Sequence, residues 1–314
     1  MQAFYADHFV LPLPPGHRFP MQKYAMLRER LMAQMPGIVL HEALPADADE
    51  LKLVHTLDYI DAVFKGTLSA AAQREIGFPW SPGMAERACR SVGGTVQAAR
   101  AALNGGCIAA NLAGGTHHSH PERGSGFCVF NDVAVAARQM QREHAAKQPT
   151  STHQALQVAV IDLDVHQGDG SARIFEGDDS VFTLSLHGAK NFPLRKQTSD
   201  CDIELPDGCQ DAAYLQALEL GLTQLEQRFA PDFVFYLAGA DPHEGDRLGR
   251  LAVSDNGMLA RDRRVFDWAF QHRVPLVMVM AGGYGRDIES TLRVQMNTYS
   301  TALHYWRRWQ ALNG

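Results

Sequence analysis

No pair of cysteines in this 314-residue chain has a CxxC spacing. The five cysteines (Cys89, Cys107, Cys128, Cys201 and Cys209) are scattered and odd in number, which argues against a disulfide framework and against a cysteine-built zinc site. No apolar run approaches the ~20 residues that a membrane helix needs. The opening MQAFYADHFVLPLPPGHRFP has no basic stretch followed by an apolar one, so no secretory signal is expected and the cytosol is the default address. Positive charge is also scarce: 29 Lys and Arg stand against 35 Asp and Glu, a net charge of -6. A protein that grips phosphate backbones usually carries a basic face, so nucleic acid is not expected as a direct partner. Neither a solenoid-period repeat nor a low-complexity segment is present. What remains is an ordinary globular balance, 46% hydrophobic and 20% charged, with enough length for a sizeable core.

Short apolar runs read as strands of a parallel sheet buried on both faces: Cys107–Leu112, Gln157–Leu163, Val181–Leu186, Phe233–Ala238 and Pro275–Ala281. Between them the spacing predicts helices over Glu86–Leu103, Asp132–His144, Asp211–Arg228 and Asn256–His272. Alternating strands and helices predict an α/β, three-layer domain with a central parallel sheet, taken as one domain over 1–314. Pro12 to Pro20 reads as a surface loop, and the polar stretch 142–154 as a loop within the domain. Each strand runs directly into Gly, Asp or His, in GGTHH, DLDVHQGDG, SLHG, LAGADP and AGGY. Ligands of parallel α/β sheets bind beyond the carboxyl ends of the strands, so reactive residues are expected along one sheet edge.

The densest of these clusters is Asp162-Leu163-Asp164-Val165-His166-Gln167-Gly168-Asp169-Gly170. Residues two apart in extended chain point the same way, so Asp162, Asp164 and His166 can share a face. Carboxylate oxygen with imidazole nitrogen suits a divalent transition metal such as zinc; the alternative is a strand–helix turn whose acids satisfy backbone donors. Gly114-Gly115-Thr116-His117-His118-Ser119-His120 puts two adjacent histidines on a Gly-rich turn, a pattern better suited to acid/base chemistry than to packing. His120, one step further toward a polar loop, reads as solvated. Asp241, just past a hydrophobic strand, can complete a metal set, although taken alone it reads more readily as a helix cap. Tyr284, flanked by Gly282, Gly283 and Gly285, can present a phenol to a developing oxyanion, or can simply pack on its loop.

The segments GGTHHSHPERGSGFCVFND, VIDLDVHQGDG, LAGADPHEGDRLG and AGGYG, in this order and spacing, resemble the histone deacetylase family of zinc amidohydrolases. The resemblance runs from about Pro14 to the final helix. His17-Arg18-Phe19-Pro20 and Glu244–Leu251 are more similar to the class IV branch and its bacterial relatives. The resemblance implies the arginase/deacetylase fold, with Asp164, His166 and Asp241 as ligands of one zinc. It further implies His118 as general base oriented by Asp169, His117 oriented by Asp162 and stabilising the transition state, and Tyr284 polarising the carbonyl. Phe127 and Phe192, with Gly126, would line an acyl-lysine channel. Asp162, Asp164, His166, Ser185 and Leu186 would form a potassium site, and Arg18 would lie near the channel floor. The implied substrate is an acylated lysine in a protein or peptide, or a small acylated amine.

The family's class I members hold the substrate backbone with a rim aspartate, and the comparable stretch here, Gly77–Gly83, contains no acid. That leaves room for small amides such as acetylpolyamines, for which Glu244 is a candidate gatekeeper. A dimanganese ureohydrolase would need a second metal cluster on the same rim, and a non-catalytic relic would not keep every ligand and acid/base residue. Cys128 and Cys201 read as a buried small hydrophobe and a loop residue, without chemistry.

Overall fold

The computed structural model of the chain describes residues 1–7, 11–14, 16–147 and 155–313. In chain order the elements are β1 (Gln2–Tyr5), α1 (Lys23–Gln34), β2 (Val39–Glu42), α2 (Ala48–Leu51), α3 (Leu57–Lys65), α4 (Ala70–Ile76), α5 (Pro82–Ala101), β3 (Ile108–Asn111), α6 (Asp132–Lys147), β4 (Val158–Asp162), α7 (Asp169–Ile174), β5 (Val181–Gly188), β6 (Cys201–Leu205), α8 (Asp211–Arg228), β7 (Phe233–Leu237), α9 (Asp255–His272), β8 (Leu276–Val279) and α10 (Ile288–Asn313). All eight strands join one parallel sheet in the order β2-β1-β3-β8-β7-β4-β5-β6.

Alternate residues of each central strand enter opposite layers, as the pleat requires. Ala159, Ile161, Val234, Tyr236, Leu276 and Met278 join a core with α1, α8, α9 and α10. Val158, Val160, Phe233, Phe235, Val277 and Val279 face the other way, onto α5 and α6. With both faces covered, these strands read as unbroken apolar runs rather than as alternation. The five expected strands and four expected helices all form. Helix α5 starts earlier than its apolar spacing suggested, because Ser81 accepts from Met84 N and Pro82 takes the first position. The loop expected over 142–154 is helical through Lys147, and its remainder lies outside the described residues. Cys201 opens edge strand β6 rather than sitting in a loop, and Cys128 is buried as expected.

This strand order decides where the chemistry goes. The four adjacent central strands β3, β8, β7 and β4 are those followed by the His-His turn, the tyrosine loop, Asp241 and the Asp-x-His segment. Because all strands are parallel, their carboxyl ends open onto one edge, and segments remote in sequence converge there.

Candidate active site and metal centre

The turn after β3 is held by a residue from the following helix. Asp132, fully buried at the start of α6, accepts hydrogen bonds from Thr116 N (2.7 Å), Thr116 Oγ1 (2.6 Å), Gly115 N (3.1 Å) and Thr95 Oγ1 (2.6 Å). Gly115 has φ +75, and a Cβ there would stand 2.5 Å from the Ala281 backbone, so only glycine lets the β3 and β8 loops approach this closely. His117 and His118 project from this clamped turn with ring centroids 4.2 Å apart.

Asp164, His166 and Asp241 bring one ligand atom each within 4.8 Å of one another, all buried. Nδ1 of His166 lies 2.9 Å from Asp164 Oδ1 and 3.2 Å from Asp241 Oδ2. Val165 N donates to Asp241 Oδ1 (2.9 Å) and Gly282 N to Asp164 Oδ2 (2.7 Å), which fixes both carboxylates. Asp241 Oδ2 is buried and accepts no hydrogen bond. Burial and the Asp164 charge push the Asp241 carboxyl upward. Burial alone would lower His166, but the adjacent carboxylates of Asp164 and Asp241 push it up to about 10. Two buried carboxylates here need a positive charge between them, and the nitrogen–oxygen donor set, with one oxygen that accepts no hydrogen bond, fits a divalent cation. Among the described residues it is the one such set, so the second cluster of an arginase-type centre is not found there.

Each histidine of the pair carries its own aspartate. His117 Nδ1 lies 2.6 Å from Asp162 Oδ2, and His118 Nδ1 lies 2.7 Å from Asp169 Oδ1. Burial would lower the His117 pKa, but Asp162 and Asp164 overcome it and push it up to about 9. For His118, burial and then the charge on His117 outweigh Asp169 and push it down to about 4. The two adjacent imidazoles are thus pushed in opposite directions, His117 toward the imidazolium and His118 toward the neutral form. Burial opposes ionisation of Asp169, yet its bonds to His118 and His120 hold its carboxyl well below the usual range. His120 is not solvated. It is buried, with Nε2 3.0 Å from the second oxygen of Asp169, because the chain turns inward after Ser119 and bridges back to Arg123.

Tyr284 is buried with 8% exposure, and its ring centroid is 6.4 Å from that of His166. Its backbone N–H donates to Asp246 Oδ2 (2.6 Å), whose other oxygen caps Leu248 N and Gly249 N. Burial, followed by the charges of Asp164 and Asp241, raises the phenol well above its ordinary value and keeps it protonated. Tyr284, His118 and His166 share a pocket with Gly126, Phe127 and Phe192. Phe192 meets His118 edge-on at 4.9 Å. Phe127 sits in a cluster with Phe19, Phe78 and Tyr284, held at φ +66 by its N–H bond to Ile76 O (2.7 Å). Gly126 leaves room for the imidazole, since a Cβ there would lie 2.6 Å from His118 Cδ2.

The acid-free stretch from Gly77 supports this wall: Gly77 O bonds His17, and Phe78 is buried against His17 and Phe127. Arg18 lines the outer pocket, not the floor. The inner end holds two cations missed from sequence. Arg87 lines the inner cavity, and buried Lys23 reaches the carbonyls of Ala281 and Gly283 at 3.4 and 3.3 Å. Lys23 lies on a helix of otherwise unremarkable polarity, so its sequence carried no signal. Glu244 is exposed and lines neither pocket. Asp162 pairs in register with Ser185, so the five residues named for a monovalent cation share two adjacent strand ends.

A family model for the histone deacetylase domain matches residues 17–298. The chain belongs to the histone deacetylase family. Among its relatives, an uncharacterised protein of Picosynechococcus sp. is 45% identical over 90% of this chain and 92% of its own length. Histone deacetylase 2 of Arabidopsis thaliana is 31% identical over 81% of the chain, and the match spans 64% of that protein. The crystal structure of a histone deacetylase homologue complexed with SAHA superposes with a TM-score of 0.80 at 25% identity, over 96% of this chain and 83% of the other. An acetylpolyamine aminohydrolase from Burkholderia pseudomallei shares the fold at a TM-score of 0.74 and 21% identity, over 96% and 98% of the two chains. Hydrolytic deacetylation is the activity that this family membership carries.

Proposed function

We propose that this family member is a zinc-dependent lysine deacylase, removing acetyl or longer acyl groups from lysine side chains. The observation that carries the reading is the His118–Asp169 pair, 2.7 Å apart, in the same aromatic-lined pocket as His166 and Tyr284. Asp164, His166 and Asp241 would hold the zinc, which when bound supplies Lewis-acid polarisation of the amide carbonyl and acidifies a water. Asp162, Asp164, His166, Ser185 and Leu186 would hold potassium.

The remaining chemistry belongs to side chains. With Nδ1 engaged by Asp169, neutral His118 accepts at Nε2 the proton of the attacking water. As the C–O bond forms, the carbonyl oxygen becomes an oxyanion. The Tyr284 hydroxyl donates to it, and the His117 imidazolium faces the growing charge. His118 then returns its proton to the departing nitrogen, the oxyanion collapses as the C–N bond breaks, and the carboxylic acid and amine so formed leave as carboxylate and ammonium. Phe127 and Phe192 would flank the alkyl stem of the lysine and favour a neutral acyl-lysine over a charged ammonium.

Purified protein assayed against acetyl-lysine peptides, longer acyl-lysine peptides and acetylpolyamines, with metal content measured on the same sample, tests the reading. Turnover of acyl-lysine with one zinc per chain is expected. Turnover confined to acetylpolyamines would replace it with a small-amide hydrolase.

A further inference from the structure

The chain is acidic overall, at -6, yet the mouth of the pocket is basic. The outer pocket is lined by Arg18, Lys190 and Arg250. A second depression shares Gly126, Phe127 and Phe192 with it and adds Arg74, Arg123 and Arg195. The carboxylates paired with these six cations are few. Asp207 serves both Arg250 (2.8 Å) and Lys190 (3.9 Å), while Arg123 has Glu75 (3.4 Å) and Glu122 (2.7 Å). Asp169, which also lines the second depression, is buried and engaged by His118 and His120. Arg18, Arg74 and Arg195 are exposed and have no ion pair among the described residues. With Asp169 counted, six cations against four carboxylates leave a local excess of two positive charges around a pocket whose rim stretch Gly77–Gly83 contributes no acid.

Such a rim repels a polycationic amine and a Lys/Arg-rich tail, and steers anions toward the channel. The cations line two adjoining depressions that share Gly126, Phe127 and Phe192, a layout that suits an extended chain more than one compact anion. We infer that the preferred substrate is an acyl-lysine flanked by aspartate or glutamate residues in a peptide segment. The acyl-lysine side chain enters between Phe127 and Phe192 while the flanking carboxylates meet Arg18, Lys190 and Arg250 in one depression and Arg74 and Arg195 in the other. This rests on the deacylase reading above and names the substrate class of the same site.

The test compares matched acetyl-lysine peptides flanked by glutamates, serines or arginines. It measures kcat/KM at low and high salt and, in parallel, binding of the same labelled peptides by fluorescence anisotropy. The glutamate peptide is expected to exceed the arginine peptide by about tenfold at low salt, as two or three exposed ion pairs would give, with the gap shrinking at high salt. Arg74→Glu combined with Arg195→Glu should narrow that gap, read as the ratio of kcat/KM for the glutamate peptide to that for the arginine peptide. Equal or reversed preference overturns the inference but leaves the deacylase reading intact. If no amide is turned over, the deacylase reading fails by itself, and the anisotropy still decides whether the rim selects acidic chains. A short acetylated amine bearing a single carboxylate that outpaces the glutamate peptide would overturn the assignment of a peptide occupant.

Discussion

His120 and Asp169 form a buried pair, Nε2 to Oδ2 at 3.0 Å, and the other oxygen of the same carboxylate holds His118 at 2.7 Å. The proposed base is therefore oriented by an aspartate that is itself braced. His120→Ala leaves one oxygen of Asp169 buried without its partner and lets the carboxylate rotate. Turnover is expected to fall by about tenfold, the lower end of what losing an outer hydrogen-bond partner costs, with KM and metal content unchanged. Steady-state kinetics decide it, and wild-type turnover in this variant would show that Asp169 needs no brace.

Asp241 is the second target. Its Oδ2 is buried and accepts no hydrogen bond, and its carboxyl is pushed upward by burial and by Asp164. Replacement by alanine should strip most of the bound metal and abolish activity. The core should stay folded, although Val165 N loses its acceptor and His166 one of its two carboxylate neighbours, so the metal-free variant should melt somewhat below metal-free wild type. Metal analysis and thermal melts on the same samples test this. Stoichiometric zinc in Asp241→Ala would refute the ligand set.

How much of this was legible in sequence follows from burial. Strands β3, β4, β5, β7 and β8 are covered on both faces and announce themselves as apolar runs. Edge strand β2 is largely exposed and β6 alternates, so neither VLHE nor CDIEL stands out from loop sequence. The site motifs were legible because each lies within a few residues of a strand end. His120, Asp132, Asp246, Lys23 and Arg87 were not, because their roles depend on how loops and helices fold back over that edge. A lone histidine in a polar stretch looks solvated until the chain turns it inward.

The acid/base assignment carries a pH dependence. His118 is pushed down to about 4, chiefly by burial and by the His117 charge. Only its neutral form can take a proton, so kcat/KM should stay level from pH 7 to about pH 5 and fall as pH drops through about 4, well below the ordinary histidine value of 6.5. Asp169 favours the protonated form, so Asp169→Asn should move this limb lower still while reducing turnover. A pH–kcat/KM profile checks both, and an acid limb at 6.5 or above would contradict the environment assigned to His118.

Tyr284 donates no hydrogen bond among the described residues, and its phenol is held protonated beside the metal-type cluster. Tyr284→Phe is expected to cut turnover by about 10²–10³-fold, by analogy with losing one oxyanion donor. Metal content should be unchanged because the phenol is not a ligand, and the melting temperature should move little because the ring and the Asp246 bond to its backbone remain. Near-normal turnover would mean that another group stabilises the oxyanion.

If neutral His118 is the proton acceptor of a metal-assisted amide hydrolysis, single-turnover cleavage of an acetyl-lysine peptide must differ sharply between wild type and His118→Ala at equal zinc content. The rate is expected to be lower by about 10²–10⁴-fold in the variant, the span of lost general acid/base catalysis, with peptide binding preserved. A variant that cleaves the peptide within a few-fold of wild type would contradict it.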